Sequence, residues 1–184
     1  MSALSRRSFA ASLVAIAASP LASGRPARAR SAYPERVNLA QRLLRHSRVS
    51  VLDYHVSGVR DSASARQNLL QTAQGMPAKR SYYGRAPGGQ TWLDIRMLRA
   101  LHILASEGYS FRLTELAGGS HSSKSRHYSG VAFDIDTLNG RRIDRYHPLH
   151  RRFMHRCRQL GATEVFGPGN PGHNSHLHIA WCAV

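Results

Sequence analysis

Two short stretches of the chain gather side chains able to hold a metal ion. Ser125-Arg126-His127-Tyr128-Ser129-Gly130-Val131-Ala132-Phe133-Asp134 lies near the middle, and His173-Asn174-Ser175-His176-Leu177-His178-Ile179 lies near the end. Together they offer imidazoles and a carboxylate for one zinc ion, with further imidazoles beside them. A structural zinc site closes four positions with Cys and His, whereas a catalytic one uses three protein ligands and keeps a position for water. Histidines with an Asp and no thiolate nearby match the second pattern. The chemistry expected is hydrolysis by zinc-activated water.

The elements that must position these groups follow from periodicity. Side chains alternate across a strand with period two. Along Val131 to Asp136 the apolar Val131, Phe133 and Ile135 face one way, and Ala132, Asp134 and Asp136 the other. Along the last strand Leu177, Ile179 and Trp181 oppose His176, His178 and Ala180. If the two strands are neighbours, Asp134 and His178 meet on one face, and Ala132 and Ala180 leave room beside them. His127 precedes its strand, with Gly130 permitting the bend. The chain has 11 histidines. His46, His55, His102, His147, His150 and His155 are expected to be solvated or hydrogen-bonded side chains without function. His121, in the loop ahead of the motif, stays open between the two.

Elsewhere, helical spacing predicts helices over Pro34 to His46, Asp61 to Gln74, from Thr91 as N-cap to Gly108, and Pro148 to Leu160. Strands are expected at Val49 to Val56, Phe111 to Leu116, Val131 to Leu138, Thr163 to Phe166 and Ser175 to Cys182. Asn139-Gly140 marks a hairpin turn, and Ala78 to Gln90, with Gly84, Pro87, Gly88 and Gly89, reads as a loop. Helices early and strands late predict an α+β domain, with a small antiparallel sheet carrying the zinc site on one face and helices packed on the other.

The pattern Ser-x-His-x-x-Gly-x-Ala-x-Asp (Ser125 to Asp134) followed by a late His-x-His (His176, His178) resembles the zinc peptidases of the lysostaphin, D-Ala-D-Ala peptidase and hedgehog fold. The ending His173-x-x-His176-x-His178 is most similar to the penicillin-insensitive murein endopeptidases. The resemblance covers roughly residues 110 to 182. It implies His127, Asp134 and His178 as zinc ligands and Ser125 as a supporting or substrate hydrogen-bonder. His176, two residues from a ligand on the same strand face, and His173 are expected to be the catalytic imidazoles. Lys124 and Arg126 are expected to hold a substrate carboxylate or to be solvated loop charges. The carboxypeptidase branch places a catalytic Glu three residues before its last His ligand, and here that residue is Ser175. None of the four glutamates has a His three residues after it. The proton-handling group is therefore expected to be an imidazole, which favours the endopeptidase branch. The function implied is cleavage of amide bonds in peptidoglycan peptides, D-Ala to meso-diaminopimelate cross-links. A D,D- or L,D-carboxypeptidase, or a non-catalytic zinc-containing envelope-binding module, are the alternatives.

The first residues say where such an enzyme would work. Ser5-Arg6-Arg7-Ser8-Phe9-Ala10, a modest apolar run and an ending near Ala27-Arg28-Ala29 describe a twin-arginine (Tat) signal over residues 1–29. Its apolar core falls short of the roughly 20 residues that span a bilayer, so no permanent anchor is expected. The remainder, 30–184, reads as one domain, with a helical lead-in over 34–109 and the metal-site core over 110–182. Net charge is +16, and the four arginines of residues 1–29, with no acid, leave +12 of it to the remainder. Outside the cytoplasmic membrane, in the periplasm or beyond, that charge points to anionic envelope polymers, and no nucleic-acid motif accompanies it. Cys157 and Cys182 are the only cysteines, too few for a disulfide framework.

Overall fold

The computed structural model describes residues 27–183, with side chains from residue 33. The predicted signal segment lies outside these residues but for its last three, which open the first helix. Four helices, α1 (Ala27–Arg45), α2 (Ala65–Ala73), α3 (Ile95–Ser106) and α4 (His150–Gln159), accompany eight strands. These are β1 (Val49–Val51), β2 (Ala78–Lys79), β3 (Gln90–Thr91), β4 (Phe111–Glu115), β5 (Ala132–Leu138), β6 (Arg141–Arg142), β7 (Glu164–Phe166) and β8 (Leu177–Ala180). The fold is α+β. The main sheet runs β1-β4-β5-β8-β7, with β6 paired to β5. It is mixed rather than antiparallel throughout, because β1 joins β4 in parallel. Antiparallel pairing of β5 with β8 sets Asp134 directly opposite His178, on the shared face that the alternation predicts.

One face of this sheet is apolar and closes the core. Phe133, Ile135, Leu177 and Ile179 are buried with Leu98, Leu101 and Leu104 of α3 and Phe153 of α4. Helix α1 packs on α2 and α3, and α4 on β7 and β8. The opposite face holds the polar side chains of β5 and β8.

Several local expectations shift. The N-cap of α3 is Asp94, whose side chain accepts from the Arg96 N–H, and not Thr91. Thr91 instead pairs with Ala78 in a two-stranded ribbon, which takes up both ends of the stretch read as a loop. Trp92 therefore lies outside the helix, half exposed, with the Arg36 guanidinium 5.2 Å from its ring centroid. The first strand stops at Val51 instead of Val56. The hairpin turn forms as expected: Asn139 and Gly140 both have left-handed backbone, φ 46° and 77°, as a type I′ turn requires. Cys157 and Cys182 are free, the first buried and the second exposed. Among the described residues no helix is long and apolar enough to cross a membrane.

Candidate metal centre

His127 enters the site from a short 3-10 helix, Arg126–Ser129. The Ser125 hydroxyl caps that helix by accepting the His127 backbone N–H at 3.3 Å. Gly130 ends it at φ 70°, and a Cβ there would stand 2.3 Å from the Trp92 carbonyl oxygen. Only glycine allows the chain to turn here into β5. The His127 ring is then fixed by its far nitrogen, Nδ1–H donating to the Leu116 carbonyl at 2.7 Å. Nε2 is left with its lone pair pointing inward.

His178 is tied off in the same way. Its Nε2–H donates to the Glu164 carboxylate at 3.0 Å, which leaves Nδ1 facing the site. Phe166 lies against its ring, centroids 6.0 Å apart and 20° from parallel. A carboxylate or carbonyl that holds the outward nitrogen of a ligating histidine selects its tautomer and raises its basicity. Both imidazoles here carry such a partner.

The inward atoms converge on one carboxylate oxygen. Asp134 Oδ1 is 3.2 Å from His127 Nε2 and 2.8 Å from His178 Nδ1, and the two nitrogens are 3.1 Å apart. A tetrahedral zinc with bonds of 2.0–2.1 Å has ligand–ligand edges of about 3.3 Å. The triangle has the size of one face of that tetrahedron. Burial opposes charge on Asp134, yet the two imidazoles hold its carboxyl well below the usual carboxylate range. Burial likewise opposes charge on His127, and the facing Asp134 carboxylate still raises its pKa.

His121 lies on the other side of His127, stacked on it with centroids 4.1 Å apart. His121, His127 and Asp134 offer ligand atoms within 4.8 Å of one another and can hold a metal ion. The His121 Nε2–H donates to the Gly118 carbonyl at 3.1 Å, leaving Nδ1 as its free donor atom. Burial, and then the neighbouring His127, push its pKa down to about 4, so the ring is neutral near pH 7.

Two lobes of one cleft meet here. The smaller, about 260 Å³, runs past Glu115, Asp136, Arg142 and Ser175. The larger, about 630 Å³, runs past Lys124, Arg126, Glu164 and His173. His121, Asp134 and His176 line both. The rings of His173 and His176 are 4.9 Å apart, and His173 is 5.8 Å from His178. His173 donates Nδ1–H to the Pro171 carbonyl at 2.7 Å, which frees Nε2. Burial lowers the pKa of His176. Arg126 is held toward Glu164 at 3.9 Å, while Lys124 is exposed on the rim.

The structure thus gathers His127, Asp134, His178, His176 and His173, with Ser125 acting through the backbone of His127. Sequence reasoning left His121 undecided and set aside Glu164 and Glu115 because neither precedes a histidine at the expected interval. Glu164 was findable: alternation puts it on the same face of β7 as Phe166, which pairs with His178. Comparison of the chain with protein-family models, with curated proteins and with solved structures finds no match.

Proposed function

We propose that this chain is an exported zinc-dependent peptidase that hydrolyses amide bonds in peptidoglycan peptides, D-Ala to meso-diaminopimelate cross-links in particular. The observation that carries the reading is the triangle of Asp134 Oδ1, His127 Nε2 and His178 Nδ1, with both outward nitrogens tied off. Three protein donors on one face leave a position open, the pattern of catalytic zinc. With no thiolate in the set, a nitrogen-and-oxygen site of this size suits zinc. A zinc ion there supplies Lewis acidity, acidifying water and polarising a carbonyl.

The remaining work falls to the chain's own groups. His176 lines both lobes beside Asp134, within reach of a proton leaving the attacking water or of the developing oxyanion. His173, its Nε2 without a partner among the described residues, stands next to it to take the complementary role. The cleft continues on both sides of these residues, so a peptide can extend past the scissile bond in each direction. That favours an endopeptidase over a carboxypeptidase, which needs one end closed. The basic residues Lys124 and Arg126 on the larger lobe, together with the net positive charge, suit attraction to anionic envelope polymers.

Purified murein incubated with the protein before and after chelator treatment tests this. Monomeric muropeptides released from dimers, only with metal present, is the expected result. Release of free D-Ala instead would make the protein a carboxypeptidase. Unchanged muropeptides with tight murein binding would make it an envelope-binding module.

A further inference from the structure

The smaller lobe of the cleft has a charge distribution that the hydrolytic groups do not use. Glu115, which lines it as one wall, ends a chain of three ionisable side chains, buried Glu115 and His55 and part-exposed Asp61. The His55 ring, 0% exposed, donates Nδ1–H to the Glu115 carboxylate, 2.9 Å from each oxygen, and Nε2–H to Asp61 Oδ1 at 2.8 Å. Both nitrogens of an imidazole donate only when the ring is protonated. Two carboxylates on one imidazolium leave this wall a net charge of −1. An ionised carboxylate has roughly four lone-pair positions, and among the described residues both Glu115 oxygens share the single His55 N–H. The unused accepting capacity of Glu115 borders the lobe.

The outer wall carries the opposite excess. Asp136, buried, accepts two hydrogen bonds from Arg112, at 2.8 and 2.6 Å, and one from Thr137 at 3.0 Å. Arg142 is a further cation on the same carboxylate, Nη1 to Oδ2 at 3.2 Å. Two guanidiniums on one carboxylate leave +1. The Arg142 side chain is 67% exposed, and it borders the lobe with most of its donor fork unused. That fork matches a carboxylate bidentately.

The two walls are rooted on neighbouring strands. Glu115 pairs with Asp134, Asp136 lies two residues beyond Asp134 along β5, about 7 Å at strand rise, and Arg142 reaches Asp136 from β6. An α-amino acid head group has its ammonium and carboxylate about 3 Å apart, and with a hydrogen bond of about 2.8 Å at each end it spans roughly 8 Å. We propose that the smaller lobe is a subsite for a zwitterionic amino-acid head group, Glu115 accepting its ammonium and Arg142 binding its carboxylate. The assignment rests on the peptidase reading only in taking that head group to be part of a substrate. The Ser57, Tyr83 and Ser120 side chains border the same space and suit a polar ligand.

The test is calorimetric titration of the full chain with meso-diaminopimelate, whose two ends are such head groups, alongside its N-acetylated and amidated derivatives. Titrations are run on the protein as isolated and again after demetallation. Saturable binding is expected, falling at least tenfold on either blocking, with the same discrimination in both preparations. Arg142→Ala, a change on an exposed side chain, should weaken the free probe about tenfold and become indifferent to amidation. Glu115→Gln should become indifferent to acetylation, provided its thermal melt remains cooperative. Equal affinity for blocked and free probes would overturn the subsite, as would amidation still mattering in Arg142→Ala. Discrimination seen only with metal would reduce it to chelation and overturn it too. Cleavage of cross-linked muropeptides is measured in parallel. Absent cleavage with the discrimination intact sinks the peptidase reading alone, and cleavage without probe binding sinks the subsite alone.

Discussion

Replacing His55 with Leu removes the one cation between Glu115 and Asp61 while keeping an apolar side chain of similar bulk. Breaking a buried ion pair by deleting one partner costs about 3–5 kcal/mol, because the other charge stays buried. A second route gives a similar size. Burial opposes protonation of His55, but Glu115 and Asp61 outweigh it and raise its pKa from 6.5 to about 9. At 1.36 kcal/mol per unit that is on the order of 3 kcal/mol. For a chain of this length roughly 2–4 °C of Tm accompany each kcal/mol, so the variant should melt roughly 6–12 °C lower near neutral pH.

The pH dependence is the sharper measurement. A group whose folded pKa is raised contributes stability that is complete below its unfolded value, about 6.5, and is lost as pH rises through about 9. Burial, aided by Asp134, raises Glu115 against the pull of His55. Asp61 is lowered, burial resisting and His55 prevailing, and it acts in acid. His127 is raised and titrates in the same direction as His55, but it is common to both proteins. The difference in unfolding free energy between wild type and His55→Leu, from urea melts at pH 6 to 9.5, carries the His55 contribution. It should be largest at pH 6 and shrink by about 3 kcal/mol toward pH 9.5. A difference constant across that range would refute the claim that His55 is an imidazolium.

Asp134→Ala should bind no more than trace metal by elemental analysis, since it removes the oxygen on which both histidines converge; one metal per chain in that variant would take Asp134 out of the site. Glu164→Gln removes the carboxylate behind His178 and should weaken metal affinity about 10–100-fold, read by competition with a chromogenic chelator; unchanged affinity would assign Glu164 to Arg126 alone. His176→Ala should keep its metal and lose about 10²–10⁴-fold in turnover of cross-linked muropeptides; metal loss would make His176 a ligand. Replacing Cys157 and Cys182 together with Ser should leave metal content and activity near wild type, since both are free and neither lines the cleft; a fall in metal content would be the contrary result.

What the sequence made legible was whatever period two encodes. Val131 to Asp136 and Leu177 to Trp181 each alternate strictly, and that alternation alone carried Asp134 and His178 to one polar face before their pairing was known. Where two residues were equally able to play a part, local pattern had no means to choose. Thr91 and Asp94 are both competent caps, and the choice fell to Asp94 because Thr91 is used in pairing with Ala78, a contact between distant residues. The stretch Ala78 to Gln90 reads as a loop for its glycines and Pro87, yet Ala78 and Lys79 at one end and Gln90 with the following Thr91 at the other suffice for a ribbon around them.

The groups that decide the chemistry of the site are of the second kind. Each imidazole proposed as a ligand needs an acceptor for its outward nitrogen, and neither acceptor is near it in sequence: Leu116 precedes His127 by 11 residues, and Glu164 precedes His178 by 14. The Leu116 acceptor is a backbone carbonyl, which residue type cannot reveal at all. The His55–Glu115 contact spans 60 residues, and it reverses the meaning of both. Alone, Glu115 on a strand beside Asp134 is a buried like-charge neighbour that would destabilise the site. With the His55 ring behind it, 2.9 Å from both oxygens, it becomes a hydrogen-bonded wall of the cleft. A histidine expected to be merely hydrogen-bonded is indeed hydrogen-bonded, but to two carboxylates at once, and that second bond turns a satisfied core residue into a fixed charge at the edge of the site.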